Sequence, residues 1–319
     1  MIEYRTFRNT DPPLVAEVWT TCLAGPRTVS ISVKSTTLLE YFVLAKPYFD
    51  PAGLILALED GHPVGFALAG FVSNAEGKGL DTSTGVLCAL GVAPRYRRRG
   101  IGSELLRRAE DYLRGRGAKC LLAGPMTPND PFLFGLYGGC DSSGFLAGNE
   151  SAAPFLAKHG YTTSRKCGLF QQSLASVQMP TDNRFADIRQ QYDIVGTPMT
   201  AESWWRESVL GPVEVFEYVL HDKKSEQTAA RLFLWDMDLF AQSWQRSCVG
   251  LLDIQVSPDA RRHGLGRYLL SQVLRHLRDQ TYHLFEARID LDNTPGVELF
   301  ESFGFKRVET GTTYQRGID

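Results

Sequence analysis

One internal repeat limits the folds open to this chain more than any other feature. The segment LCALGVAPRYRRRGIGSELLRRAEDYL, beginning at Leu87, has a partner in LLDIQVSPDARRHGLGRYLLSQVLRHL, beginning at Leu251. Arg97, Gly100 and Gly102 match Arg261, Gly264 and Gly266, each at an offset of 164. The apolar positions that follow keep that offset: Ile101, Leu105, Leu106, Ala109 and Leu113 against Leu265, Leu269, Leu270, Val273 and Leu277. Spacings of three and four residues mark one face of a helix. Downstream, Asn149 and Gly160 match Asn293 and Gly304 at an offset of 144, so the first half carries about 20 extra residues between its matched blocks. A single period of about 160 residues, seen twice, means duplicated domains and not a solenoid.

A length of 319 residues agrees with two domains. The expected division is 1–175, with an insert at 127–148, and 183–319, joined by the polar segment SLASVQMPTDN. Each half reads as a small α/β unit. In the first, IEYRTFR predicts a strand, PPLVAEVWTTCL and STTLLEYFVLAKPYF helices, and LILALEDGHPVGFALAGFVS two strands about an Asp-Gly turn. A strand, a Gly-loop, a helix, the strand CLLAGPM, a long loop and the short helix SAAPFLAKHGY follow. The second half predicts a helix at TAESWWRESVLG, a hairpin through VEVFEYVLHDKKSEQTAARLFLWDMD, and then the same order ending in a last strand.

Composition narrows the function. Lys plus Arg is 34 and Asp plus Glu 36, a net charge of −2, which argues against non-specific nucleic-acid binding. No apolar run reaches about 18 residues, so no membrane span is expected. The opening MIEYRTFRNTDPP lacks the apolar core of a secretory signal. The six cysteines include no C-x-x-C pair and no zinc spacing with histidine, and they read as reduced, buried thiols of a cytoplasmic protein.

The repeated loop wants an anion. An apolar strand ends at Pro94, a basic, glycine-punctuated turn follows, and an amphipathic helix begins. The first helical N–H groups have no intrahelical partner, and the helix dipole adds partial positive charge there. Such a place suits a phosphate or pyrophosphate. In the second half the expected contacts are Ile254, Val256, Arg261, Arg262, His263, Gly264, Leu265, Gly266 and Arg267. In the first they are Val92, Arg97, Arg98, Arg99, Gly100, Ile101, Gly102 and Ser103.

These residues resemble the GNAT family of N-acetyltransferases in a tandem form, similar to the two-domain arrangement of mycothiol synthase-like proteins. The family motif is a strand, V-x-P, then Q/R-x-x-G-x-G/A, then a helix. Both halves carry it: Val92, Pro94, Arg97, Gly100 and Gly102, and Val256, Pro258, Arg261, Gly264 and Gly266. A second family feature is an Asn after the next strand and a helix ending L-Y-x-x-x-G-F. Here these are Asn293 with LFESFGF, and Asn149 with FLAKHGY. The resemblance implies an α/β (α+β) fold. It consists of two tandem GNAT-type domains, each a mixed, mostly antiparallel sheet that splays between its fourth and fifth strands and is flanked by helices. It implies acetyl-CoA in that splay, its pyrophosphate on the loop, and Asn293 among the contacts. The family tyrosine that protonates the departing thiolate is replaced by Phe300 in the second half and Leu156 in the first.

Acetyl transfer to an amine needs a group that accepts a proton, directly or through water. In the second half, strand alternation sets Asp253 and Gln255 on the face opposite Leu252, Ile254 and Val256. The first half has Ala89 and Gly91 at the places of Asp253 and Gln255. Glu286, Arg288 and Asp290 alternate with Phe285, Ala287 and Ile289, whereas CLLAGPM carries no charge. Asp253 and Glu286 are therefore the candidate bases, in the second half. The alternative for this polar face is exposure to solvent or contact with the other domain, with Glu286 and Arg288 pairing. The insert, rich in Gly and aromatics, either plugs the first site, crosses to the other domain, or buries a seam. One of Trp204 and Trp205 is a candidate wall of an acceptor pocket. The expected activity is acetyl-CoA-dependent N-acetylation of a small-molecule amine; the alternative is a non-catalytic acyl-CoA-binding protein.

Overall fold

The computed structural model describes residues 1–23, 25–211 and 213–317. The first half runs β1 (Ile2–Thr6), α1 (Pro12–Leu23), α2 (Thr37–Leu39, continued by a π turn at Glu40–Leu44), β2 (Leu54–Glu59), β3 (His62–Ser73), β4 (Leu80–Val92), α3 (Ile101–Gly115), β5 (Cys120–Ala123), β6 (Phe145–Leu146), α4 (Ala152–Lys158) and β7 (Thr162–Ser173). The second runs α5 (Phe185–Gln191), β8 (Tyr192–Pro198), α6 (Trp204–Leu210), β9 (Val215–Asp222), β10 (Thr228–Asp236), α7 (Asp238–Trp244), β11 (Cys248–Val256), α8 (Leu265–Asp279), β12 (Leu284–Asp290), α9 (Thr294–Glu301) and β13 (Lys306–Gly317). The sequence reading missed β6, β7, α5, β8 and α7. Residues 173–183, read as a linker, are partly packed: Leu174 is fully buried and the Gln178 N–H donates to the Phe303 carbonyl.

All the strands form one sheet in the order β1-β2-β3-β4-β5-β13-β7-β12-β11-β10-β9-β8, with β6 paired to β13. The order is symmetric about the β13–β7 seam, and it reveals an exchange. The chain's last strand, β13, pairs with β5 of the first half, and β7 pairs with β12 of the second. Each half thus completes its sheet with a strand from the other.

The repeat persists to single residues. Within each half the fourth and fifth strands run parallel, and pairing stops at Leu87 with Ala123 and at Leu251 with Ala287. Beyond these points the strands part, as the expected splay requires. Just there each fourth strand carries a bulge: Cys88 is skipped between Leu87 and Ala89, and Leu252 between Leu251 and Asp253. Bulges of this kind end pairing and re-aim side chains.

Three buried clusters hold the molecule. One lies under α3 and one under α8. The third joins the halves, uniting Val15 and Trp19 of α1, Phe132, Phe134 and Cys140 of the insert, Val209 of α6, and Trp235 and Phe240 beyond them. A seam built of fully buried aromatics is an extension of the core, with about 1.5–3 kcal/mol for each large side chain removed from water.

Candidate functional site

The second loop forms a cleft of about 990 Å³ lined by Arg184, Ile254, Gln255, Val256, Arg261, Arg262, Gly264, Leu265, Gly266, Arg267, Asn293 and Leu299, among others. Three local features open it. Gly264 sits at φ +85° as the residue before α8 and supplies no side-chain cap, so the first N–H groups of α8 face the cleft. Arg262 lies at φ +66°, matched by Arg98 at +62° in the first half. The Arg261 Nε donates to the Val256 carbonyl at 3.1 Å, matched by Arg97 to Val92 at 2.9 Å, so one arginine in each loop ties the turn to the strand end. Arg184, missed in the sequence, donates to the Arg262 carbonyl at 3.2 Å and lines the cleft from the segment before α5. Nothing in its local pattern signals that contact, because its partner lies 78 residues away. Asn293 caps α9 by accepting the Gly296 N–H at 3.1 Å. His263 is exposed and is not among the lining residues.

The first loop repeats the backbone with different neighbours. A Cβ built on Gly102 would lie 3.5 Å from the Phe155 ring, so α4 leans on the first turn of α3. Ser103 bonds His159 of the same segment at 3.0 Å, and Arg316 of the exchanged strand β13 donates to the His159 carbonyl at 3.0 Å. In the second half Gly266 has only the Val256 side chain near its missing Cβ. The exposed Arg97, Arg98, Arg99 and Gly100 stand at the rim, while Ile101 is buried and Val92 half-buried.

The two carboxylates expected near the cleft part company. Asp253 is exposed, one residue past the bulge; its Oδ1 accepts its neighbour's N–H from Ile254 at 2.7 Å and its Oδ2 accepts from Gln255 Nε2 at 2.6 Å. It shares a face with Phe233 and, through the pairing of Gln255 with Arg231, with a polar patch of β10. Glu286 is completely buried opposite Gly250. Its Oε1 accepts the Cys140 N–H at 2.8 Å, and its Oε2 accepts Arg27 at 2.6 Å and Gln171 Nε2 at 2.5 Å. Its place is thus under the insert, away from solvent. Arg288 is held by Asp141 at 2.9 Å and Asp290 at 2.6 Å, and Asp290 also accepts from Arg165. Burial opposes the charge on Arg288, but Asp141, Cys167 and Asp290 outweigh it and hold its pKa above the usual value. The polar face of β12 therefore meets the insert. Glu286 and Arg288 each pair with other residues there and not with one another.

The insert crosses between the halves. Its Gly138 N–H donates to the Arg27 carbonyl, its Leu136 carbonyl accepts from Val29, and its Cys140 carbonyl accepts from Trp235 Nε1 at 2.8 Å. Phe132 packs against Gly70 of β3, and Phe134 lies 5.2 Å from Trp235. Phe300 and Leu156, at the place of the family tyrosine, are each 1% exposed and serve the cores under α8 and α3. No helix among the described residues is long and apolar enough to cross a membrane.

Known proteins show the same organisation. A solved tandem GNAT protein from the clavulanic acid biosynthesis pathway superposes with a TM-score of 0.67, at 17% identity, covering 99% of this chain and 98% of that one. The mycothiol acetyltransferase of Geodermatophilus obscurus is 27% identical over 269 residues, 78% of this chain and 79% of that protein. The mycothiol acetyltransferase of Saccharomonospora viridis is 36% identical over 64 residues, an alignment that spans 21% of that relative's length. The model of the acetyltransferase (GNAT) family matches residues 28–133 and 218–305, more than half of the sequence, and the chain belongs to that family.

Proposed function

We propose that the chain is an N-acetyltransferase that moves the acetyl group of acetyl-CoA to the amine of a small molecule, with the chemistry in the second half. The observation that carries this is the 990 Å³ cleft at the second loop, whose lining begins at Ile254, the chain neighbour of the exposed Asp253. The residues present fit the donor. Open N–H groups of α8 and the charges of Arg184, Arg261, Arg262 and Arg267 suit a pyrophosphate. The apolar sides of Ile254, Val256 and Leu299 suit a pantetheine arm. When bound, acetyl-CoA supplies the thioester. Beyond Leu251 the backbone of β11 has left β12, and there the Ile254 N–H donates to Asp253 Oδ1; once that contact gives way, this N–H would be free for the thioester carbonyl. The amine nitrogen forms the new bond to that carbonyl carbon, the carbon–sulfur bond breaks, and Asp253 takes the amine proton through water. With Phe300 at the tyrosine place, the thiolate is protonated from solvent in the open cleft. Glu286 holds the insert and is assigned no proton.

Release of CoA thiol in the presence of an amine library tests this reading. Asp253→Asn should lower kcat by about 10²–10⁴-fold while the KM for acetyl-CoA stays close to wild type. Binding of acetyl-CoA without turnover of any amine would instead support a second reading, an acyl-CoA-binding protein. The buried Phe300 and Leu156 in place of the proton donor favour that alternative.

A further inference from the structure

Helix α6 of the second half is held mostly by the first half. Lys46 is 6% exposed, and its Nζ donates to the carbonyls of Ser208 at 2.6 Å and Val209 at 3.0 Å, in the last turn of α6. A cation at a helix C-terminus meets the negative end of the dipole and the unpaired carbonyls together. Gly211, at φ +60°, leaves room for it: a Cβ there would stand 2.8 Å from the Lys46 Nζ. At the other end of α6 the Trp205 N–H donates to the Gly77 carbonyl at 3.0 Å. Between these ends the Tyr48 ring lies 4.7 Å from Trp205 and 5.9 Å from Trp204, while its hydroxyl donates to the Pro131 carbonyl of the insert at 2.6 Å. Burial pulls the Lys46 ammonium down to about 8, against the attraction of Asp130 in the insert, which leaves it largely charged at pH 7.

The position of α6 matters to the acceptor side. Glu202, just before the helix, pairs with Arg231 at 3.4 Å, and Arg231 lies opposite Gln255 on the Asp253 face of the sheet. Helix α6 has seven residues and leaves Trp204 40% exposed.

We propose that Lys46 and Tyr48 are positioning residues for the second half's reaction: they fix α6 so that the Trp204 indole forms a wall of the acceptor site beside Asp253. The first half thereby shapes acceptor recognition without handling the donor. An indole beside a carboxylate suits an acceptor that presents an apolar face next to its amine. This rests on the acetyltransferase reading above.

Three variants test it: Lys46→Met, Trp204→Ala and the double variant. For an amine that the wild type turns over, each single variant should raise the amine KM about 10-fold and keep the acetyl-CoA KM within about twofold. The double variant should be no worse than Trp204→Ala, because Lys46 acts through Trp204. Exposed Trp204 can be truncated without harm to the core, so an unchanged amine KM in Trp204→Ala overturns the proposal, as do losses that multiply in the double variant. A second readout needs no acceptor. The Trp204 emission, taken as wild type minus Trp204→Phe, should be quenched more strongly by acrylamide once Lys46 is Met. Equal quenching overturns the placement of α6. If no amine is turned over by any variant, the acetyltransferase reading falls, and the quenching result still decides whether Lys46 sets α6.

Discussion

At Glu286 a carboxylate has been taken wholly out of water and held by Arg27, Gln171 and the Cys140 N–H. Removing one partner of such a buried pair costs about 3–5 kcal/mol, because the other charge is left uncompensated. Glu286→Ala should therefore lower the thermal midpoint by roughly 10 °C, read by calorimetry, through release of the insert. Asp130 works the other way. It is 2% exposed, its Oδ2 lies 3.2 Å from the Thr127 hydroxyl, and burial followed by the nearby Asp141 pushes its pKa up to about 7. The folded chain thus holds a proton that the unfolded chain releases near pH 4, so this group's contribution to stability falls as pH rises from about 4 to about 7 and is level above. Asp130→Asn removes that loss; its midpoint relative to wild type should be higher by about 5 °C at pH 8.5 and the gap should narrow at pH 5. In sequence Glu286 and Asp253 look alike, two carboxylates on alternating strands. Glu286's partners stand 259, 146 and 115 residues away, and no local pattern carries that information.

The elements were more legible than their partners. Apolar periodicity, the Asp-Gly turn and the paired Gly-loops located β2 to β4, α3, β11 and α8, because each rests on contacts close in the chain, whereas the splay was implied by the family resemblance alone. The exchange of β7 and β13 left no such trace: a strand's side-chain pattern says which face is buried and not which neighbour its backbone bonds. For the insert, crossing to the other half and burying a seam were among the open readings; its partners Trp235 and Glu286 were not legible, because they lie in the other half. Exchange makes the halves one cooperative unit. A chain ending at residue 305 would leave β5 and β7 without their shared neighbour and remove Tyr314 from the core under α3. Thermal unfolding of the full chain should show one transition, and the truncated chain should lose structure in both halves, as read by hydrogen exchange at β3 and β10. Retained protection in either half would contradict this.

On the scale of the molecule, duplication has kept two copies of the same loop and given them different surroundings. The second opens into a cleft of about 990 Å³ lined by Ile254, next in the chain to the exposed Asp253, and the first is leaned on by Phe155 and tied through His159 to the exchanged strand. In the proposed division of labour the second half handles the donor and the first supports the acceptor side. Calorimetric titration with acetyl-CoA of the wild type, Gly264→Arg and Gly100→Arg tests that division most directly. Gly264 needs its positive φ, and a side chain there meets the Arg184 guanidinium at 3.1 Å, within the cleft. One site per chain is expected, with affinity lost by at least about 100-fold in Gly264→Arg and held within about threefold in Gly100→Arg. Two sites per chain, or loss of binding in Gly100→Arg with Gly264→Arg unaffected, would contradict the account.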